Sequence, residues 1–311
     1  MGGPQESNEE DSVPELPEVE TVVRQLAPCI EGRTVRRATL RARDLYRSGS
    51  LSLASVRASR VEGVERAGKA IVIRLGGGLP GVEMLVVHLG MTGRVVVPGA
   101  TGGGMPVMEP AVAGSLPPFA GVAYGGRHRH GRIVFVGGPE LWYVDPRRFG
   151  YLFVGPADGL RDRLHIGPDP FELTARAMSA RLRGRKAPIK SLLLNQRVIS
   201  GIGNIYADEI LYHAGMHPLR SGASVERDTG ILLRRARTVL RRAIQHRGTT
   251  LRDYRTPDGR RGSFQSCLLV YAREGERCRR CGARIRKIVV AGRGTHFCPG
   301  CQRAPRRARA R

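Results

Sequence analysis

Lysine is nearly missing from this chain. Of 52 basic residues only Lys69, Lys186, Lys190 and Lys287 are lysines, and the other 48 are arginines. A lysine in such a background carries more weight than a surface lysine ordinarily would. Acidic residues are also short: 27 against those 52 leave a formal charge of +25. That balance points to a polyanionic partner, nucleic acid ahead of a membrane surface. No apolar run reaches the roughly 18 residues of a spanning helix, so no membrane partner is expected. The opening "MGGPQESNEEDS" is acidic and has none of the apolar core of a signal peptide. A cytoplasmic, nucleoid-associated location is therefore expected.

What is present is enough for a multidomain α+β chain. A length of 311 residues with 41% hydrophobic content supports two ordinary domains and a small third module. After a polar leader, 1–13, expected to be disordered, "EVETVVRQLAP" (18–28) has helical spacing. Short β-branched segments then dominate at 33–41, 70–75, 82–89, 94–97, 132–136, 141–144 and 151–154. Bounded by Gly and Pro, they predict a sandwich or barrel over 14–157. Residues 98–126 are too rich in Gly and Pro for a regular element and read as a long inserted surface loop. From 158 to 266 the pattern turns helical, with apolar spacing at 171–182, 188–196, 204–215 and 226–247. A small module at 267–303 and a basic tail at 304–311 complete the chain.

Four of the six cysteines sit in that small module. Cys278 and Cys281 form "CRRC", and Cys298 and Cys301 form "CPGC", giving C-x2-C-x16-C-x2-C. This spacing predicts a four-thiolate zinc ribbon, in which one structural zinc ion holds a hairpin too small to fold by burial alone. Close pairs in an intracellular chain argue against disulfides. Cys29 and Cys267 read as ordinary packed cysteines. Arg293, in "GRG" between the two cysteine pairs, is expected at the hairpin tip.

Other segments bear on chemistry. "GIGN" at 201–204 precedes a helix whose free N–H groups could bind phosphate, with Asn204 as a further donor. "HLGMTGR" puts Met91, and "DPRRFG" puts Arg147 and Phe149, on Gly-flanked turns between strands. Apolar side chains at such tips can wedge into a duplex, with Arg taking a vacated base position. "PELPEVE" (14–20) is either helix punctuation, with Pro and Glu at a first turn, or a chemical site built on the Pro14 nitrogen.

Taken together, "PELPEVET", "AGKAIVIRL", "HLGMTGR", "DPRRFG", "GIGNIYADEIL", "FQSCLLVYAREGERC" and the cysteine ribbon with "GRGTHFC" resemble the formamidopyrimidine-DNA glycosylases, the Fpg branch of the Fpg/Nei family. The resemblance runs in family order from about residue 14 to 303. It implies an N-terminal β-sandwich, a helix–two-turn–helix domain and a zinc finger. It also implies a monomer that excises oxidised purines from double-stranded DNA and acts on abasic sites. By the same resemblance Pro14 is the Schiff-base nucleophile, Glu15 the general acid/base and Glu18 a supporting carboxylate. Lys69 serves the first elimination and Arg293 the second. His128, Lys186 and Asn204 contact the DNA backbone, Met91, Arg147 and Phe149 fill the void left by the everted base, and 255–265 is the lid over that base.

The leader departs from the family pattern, in which Pro follows the initiator Met. An internal GTG codon for Val13 would be a start codon in a GC-rich genome, and the Met it encodes there would be removed before Pro. The active protein is thus expected to begin at Pro14.

Overall fold

The computed structural model describes residues 13–98, 126–252 and 254–304. The leader up to residue 12, the interior of the expected 98–126 loop and the tail from 305 lie outside the described residues.

The chain enters through helix α1 (Leu16–Ile30). Strands β1 (Val35–Leu40), β2 (Arg60–Ala67), β3 (Ala70–Gly76), β4 (Met84–His88) and β5 (Arg94–Val96) follow, then β6 (Arg129–Phe135), β7 (Glu140–Val144) and β8 (Tyr151–Gly155). They form two antiparallel four-stranded sheets, ordered β1-β6-β7-β5 and β2-β3-β4-β8. One face of each sheet is buried in a shared core that includes Ile71, Ile73, Leu85, Ile133, Phe135 and Tyr143, and the opposite face of β3, β4 and β8 is buried as well, around Val72, Val86 and Phe153. Strand β2 escaped the sequence reading for a physical reason. A bulge between Val61 and Gly63 breaks its alternation, and charged residues interrupt its apolar ones.

The helical part holds α2 (Leu160–Leu164), α3 (Ala175–Leu182), α4 (Ile189–Leu194), α5 (Asn204–His213), α6 (Gly222–Val225) and α7 (Thr229–Gln245). The helix expected over 171–182 is shorter, starting at 175. Asp169 accepts the Phe171 N–H at 2.8 Å in a turn, and the Thr174 hydroxyl accepts the Ala177 N–H at 3.1 Å, capping the helix. A second core gathers Ile202, Tyr206, Ile210, Val239 and Leu240. Helix α1 serves both cores. Leu16 packs in the helical one, while Val19, Val22, Leu26 and Ile30 pack in the sandwich. Replacing Leu16 by Ala would therefore cost about 2–5 kcal/mol at the domain junction. Arg66 of β2 reinforces that junction, pairing with Glu20 at 3.0 Å and Asp169 at 2.7 Å.

The last module is a hairpin of β9 (Arg286–Val290) and β10 (Arg293–Phe297). Ala291 and Gly292 form its two-residue turn with φ of 51° and 72°, the conformation of a type I′ turn. Arg293 is thus the first residue of β10, paired with Val290, and is not at the tip itself. Among the described residues no helix is long and apolar enough to cross a membrane.

Candidate active site

The helix punctuation around Pro14 is real and incomplete as an account. Glu15 is the N-cap of α1, and its N–H donates to Glu18 Oε2 at 3.0 Å. The Glu15 carboxylate, however, turns away from its own helix to the start of α5. The N–H groups of Gly203 and Ile205 donate to it at 2.7 and 2.9 Å, and that of Tyr206 at 3.4 Å. A carboxylate at the positive end of a helix is favourable. Only Gly fits at 203, since a Cβ there would lie 2.3 Å from Glu15 Cδ. These three donors were expected to serve a phosphate; the carboxylate of Glu15 occupies them instead. Asn204 donates from Nδ2 to the Gly294 carbonyl at 3.2 Å, joining α5 to the hairpin.

Glu18 is buried in the same seam. Its Oε1 accepts from the Tyr206 hydroxyl and from the Thr249 N–H, both at 2.6 Å. Burial, then the neighbouring Glu15, push its carboxyl up to about 7. Burial also raises Glu15, against Lys69 and the backbone donors. Lys69 occupies the two-residue turn between β2 and β3. Burial holds its ammonium below the ordinary lysine range, with Arg293 adding to the effect and Glu15 and Glu18 opposing it.

Val13, Glu15, Lys69, Asn204 and Arg293 line one cleft of about 330 Å³. Pro14, between the cleft-lining Val13 and Glu15, is itself buried. Four segments far apart in sequence therefore bring a carboxylate, an ammonium, an amide and a guanidinium to one place. The stretch expected to form a lid has no helix or strand from 254 to 263. Its base is tied to α1, where Tyr254 donates to the Glu18 carbonyl at 3.2 Å.

Met91 and the pair Arg147 and Phe149 occupy neighbouring loops, because β4 pairs with β8 and β5 with β7. Phe149 is 50% exposed, whereas Met91 is half-buried. The Arg147 guanidinium lies 4.6 Å from the centre of the Phe149 ring. Asp145, which the sequence reading missed, holds both loops. Its buried carboxylate accepts from Thr92 at 2.6 Å, Gly150 N–H at 2.8 Å and Tyr143 at 3.0 Å. Gly90 has φ of 57°, and a Cβ there would meet the Phe149 and Gly150 backbone at 2.5 Å, so the loops touch. The Asp145 N–H donates to the His128 carbonyl at 3.1 Å, which places His128 beside them. Lys186 stands exposed on the connection between α3 and α4.

A second group missed from sequence is buried under Arg293. Lys190, fully buried, donates to Asp208 Oδ1 at 2.7 Å and to the Gly294 carbonyl at 3.1 Å. Asp208 Oδ2 accepts the His296 N–H at 2.7 Å. The rarity of lysine was a signal that applied to Lys190 as much as to Lys69. Glu209 adds a further anchor, accepting the N–H groups of Leu269, Val270 and Tyr271 at 2.9–3.0 Å.

The sulfurs of Cys278, Cys281, Cys298 and Cys301 all lie within 4.8 Å of one another. Zinc–sulfur bonds of about 2.3 Å in a tetrahedron need sulfurs about 3.8 Å apart. The separations of 3.9 Å for Cys278–Cys301 and 3.4 Å for Cys281–Cys298 fit that geometry. Backbone N–H groups of Arg280 and Cys301 point at the Cys278 and Cys298 sulfurs at 3.4 Å, as thiolates require. These four residues form the site of one structural zinc. Cys29 and Cys267 stand apart from it and are half-buried.

A sandwich and a helical unit thus meet at a cleft lined by a carboxylate, a lysine and an arginine, and the four-cysteine hairpin reaches into it. Family descriptions match in succession: the formamidopyrimidine-DNA glycosylase N-terminal domain over 13–152, its H2TH domain over 166–255, and the zinc finger found in FPG and IleRS over 275–304. The chain belongs to the formamidopyrimidine-DNA glycosylase family. It is 40% identical to the formamidopyrimidine-DNA glycosylase of Symbiobacterium thermophilum, over 94% of this chain and 90% of that one. The crystal structure of MutM (Fpg) from Thermus thermophilus is similar at TM-score 0.74 and 39% identity, over 94% of this chain and all of that one. The Lactococcus lactis Fpg, in complex with an abasic site containing DNA, is similar at TM-score 0.76 and 30% identity, over 93% of this chain and all of that one.

Proposed function

We propose that this chain is a bifunctional DNA glycosylase and abasic-site lyase of base excision repair. Its substrate is duplex DNA carrying 8-oxoguanine or formamidopyrimidines opposite cytosine. The observation that carries the reading is the cleft in which Glu15, Lys69, Asn204 and Arg293 meet, lined also by Val13, so that both chain neighbours of Pro14 face it. The DNA complex of the Lactococcus lactis relative supports the choice of partner.

The Pro14 nitrogen attacks C1′ of the damaged nucleotide. A free α-amine with a pKa of about 7.7–8.0 is partly neutral at pH 7 and so nucleophilic. The base departs with the bonding pair and takes up the proton that the Pro14 nitrogen loses. Glu15, whose carboxyl burial raises above its ordinary value, gives a proton to the sugar ring oxygen as the ring opens. Glu15, left as a carboxylate, takes the C2′ proton that the resulting iminium makes acidic, and the electrons of that C–H bond expel the 3′ phosphate. Lys69, with its lowered proton affinity, protonates that departing oxygen. Arg293 stays charged and stabilises the 5′ phosphate as it leaves in the second elimination. Met91, Arg147 and Phe149 hold the duplex open, while His128, Lys186 and Asn204 position its backbone. The segment 255–265 closes over the everted base. The zinc site fixes the hairpin that carries Arg293.

Val13 bonded to Pro14 would make its nitrogen an amide, with the lone pair delocalised. The active form therefore starts at Pro14. Incubation with 8-oxoguanine and thymine-glycol duplexes tests the substrate: base release and strand cleavage are expected on the first, and a preference for the second would overturn it.

A further inference from the structure

The outward face of β1, β6 and β7 is unlike an ordinary solvated sheet. Alternation sends Ile133, Phe135, Leu141 and Tyr143 into the core and leaves Arg37, Thr39, Arg41, Arg132 and Trp142 on the other side. They line a groove of about 330 Å³ together with Arg129 and His130. Trp142 is the only tryptophan in the chain. The guanidiniums of Arg129 and Arg132 lie 5.2 and 5.1 Å from its ring centre. Arg132 is paired with Glu140. Arg37, Arg41 and Arg129 have no carboxylate partner among the described residues. Three uncompensated cations around one concave aromatic floor repel each other until an anion enters.

We infer that this groove is a second nucleic-acid site, which binds unpaired single-stranded DNA. Phosphates meet Arg37, Arg41 and Arg129, and a base stacks on the Trp142 and arginine layer. Width favours a single strand over a duplex. Three strands at about 4.8 Å spacing span only about 10 Å, so a duplex would touch the rim and leave the indole unused. One end of the groove lies beside the loop that carries Arg147 and Phe149, since Arg129 directly follows His128, whose carbonyl accepts the Asp145 N–H. It uses none of the groups around Pro14, so it stands or falls apart from the proposed reaction.

The single indole makes the test local. Titration of the whole protein with a twelve-residue oligothymidylate should quench Trp142 emission saturably. Replacing both Arg37→Ala and Arg41→Ala should weaken binding about tenfold and reduce the slope of log affinity against log salt by about 1.4. Cleavage of an 8-oxoguanine duplex by that variant should stay within twofold, which also shows that it is folded. Trp142→Ala, followed by the anisotropy of a labelled oligonucleotide, should weaken binding by about tenfold or more. A double variant of the cleft, Asn204→Ala with Arg293→Ala, should retain the quenching. Unchanged emission at saturating oligonucleotide would overturn the inference. So would quenching that survives in the Arg37 and Arg41 variant but disappears in the cleft variant. Quenching by intact duplex but not by the single strand would overturn it as well.

Discussion

Glu18 should make the folded chain lose stability as pH rises through neutrality. Its carboxyl is ordinarily near 4.5 and is pushed up to about 7 in the fold, by burial and then by Glu15. The folded state therefore binds this proton more tightly than the unfolded state. The contribution is fully present below pH 4.5 and is lost as pH rises towards and through 7. The difference in proton affinity corresponds to about 3 kcal/mol. Glu18→Gln removes the titration. The amide also places a donor against the Glu15 N–H, a penalty that is constant with pH. Urea unfolding of both proteins between about pH 4 and 8, followed by Trp142 emission from the sandwich, isolates the pH-dependent part. Wild type should lose about 3 kcal/mol relative to the variant across that range. Glu15→Gln should shift the same loss to lower pH, because Glu15 contributes to the shift. Parallel stability curves for wild type and Glu18→Gln would refute the reasoning.

Lys190→Met leaves Asp208 buried and uncompensated, and should cost about 3–5 kcal/mol; in cleavage assays it should impair the second elimination most, because Gly294 loses its anchor beside Arg293, and equal loss of both eliminations would contradict that role. Cys298→Ser should lose zinc, measured by elemental analysis, and most affinity for duplex DNA, while Trp142 still reports a folded sandwich. Met91→Ala and Phe149→Ala should slow base release from 8-oxoguanine about tenfold more than cleavage of a pre-formed abasic site, which needs less unstacking; equal losses on both substrates would remove the wedge.

Much of this architecture was legible, for reasons that differ from part to part. Strands such as β3 and β4 carry continuous apolar runs, and helix α7 keeps apolar spacing over 17 residues. The zinc site was the plainest, since two close cysteine pairs specify both ligands and turns. The bulged β2 was hidden because its extra residue breaks the period. The contact of Glu15 with α5 was hidden for another reason. It joins positions about 190 apart in sequence, and a Glu at a helix start already has a sufficient local explanation. Lys190 and Asp208 illustrate the same limit: each is unremarked within its own helix, and only packing of α4, α5 and β10 makes them a buried pair. Asp145 drew no reading of its own beside Arg147 and Phe149, because its carboxylate acts by joining two loops that each cross from one sheet to the other.

The central claim is that the Pro14 nitrogen forms the covalent bond to DNA. Borohydride reduction during reaction with an 8-oxoguanine duplex, followed by mass spectrometry of the cross-linked peptide from protein produced in its own host, tests it directly. The account predicts a peptide that begins at Pro14 and carries the reduced sugar on its terminal nitrogen. A cross-link at Lys69 or any other residue, or an intact leader on protein that still forms the adduct, would contradict it.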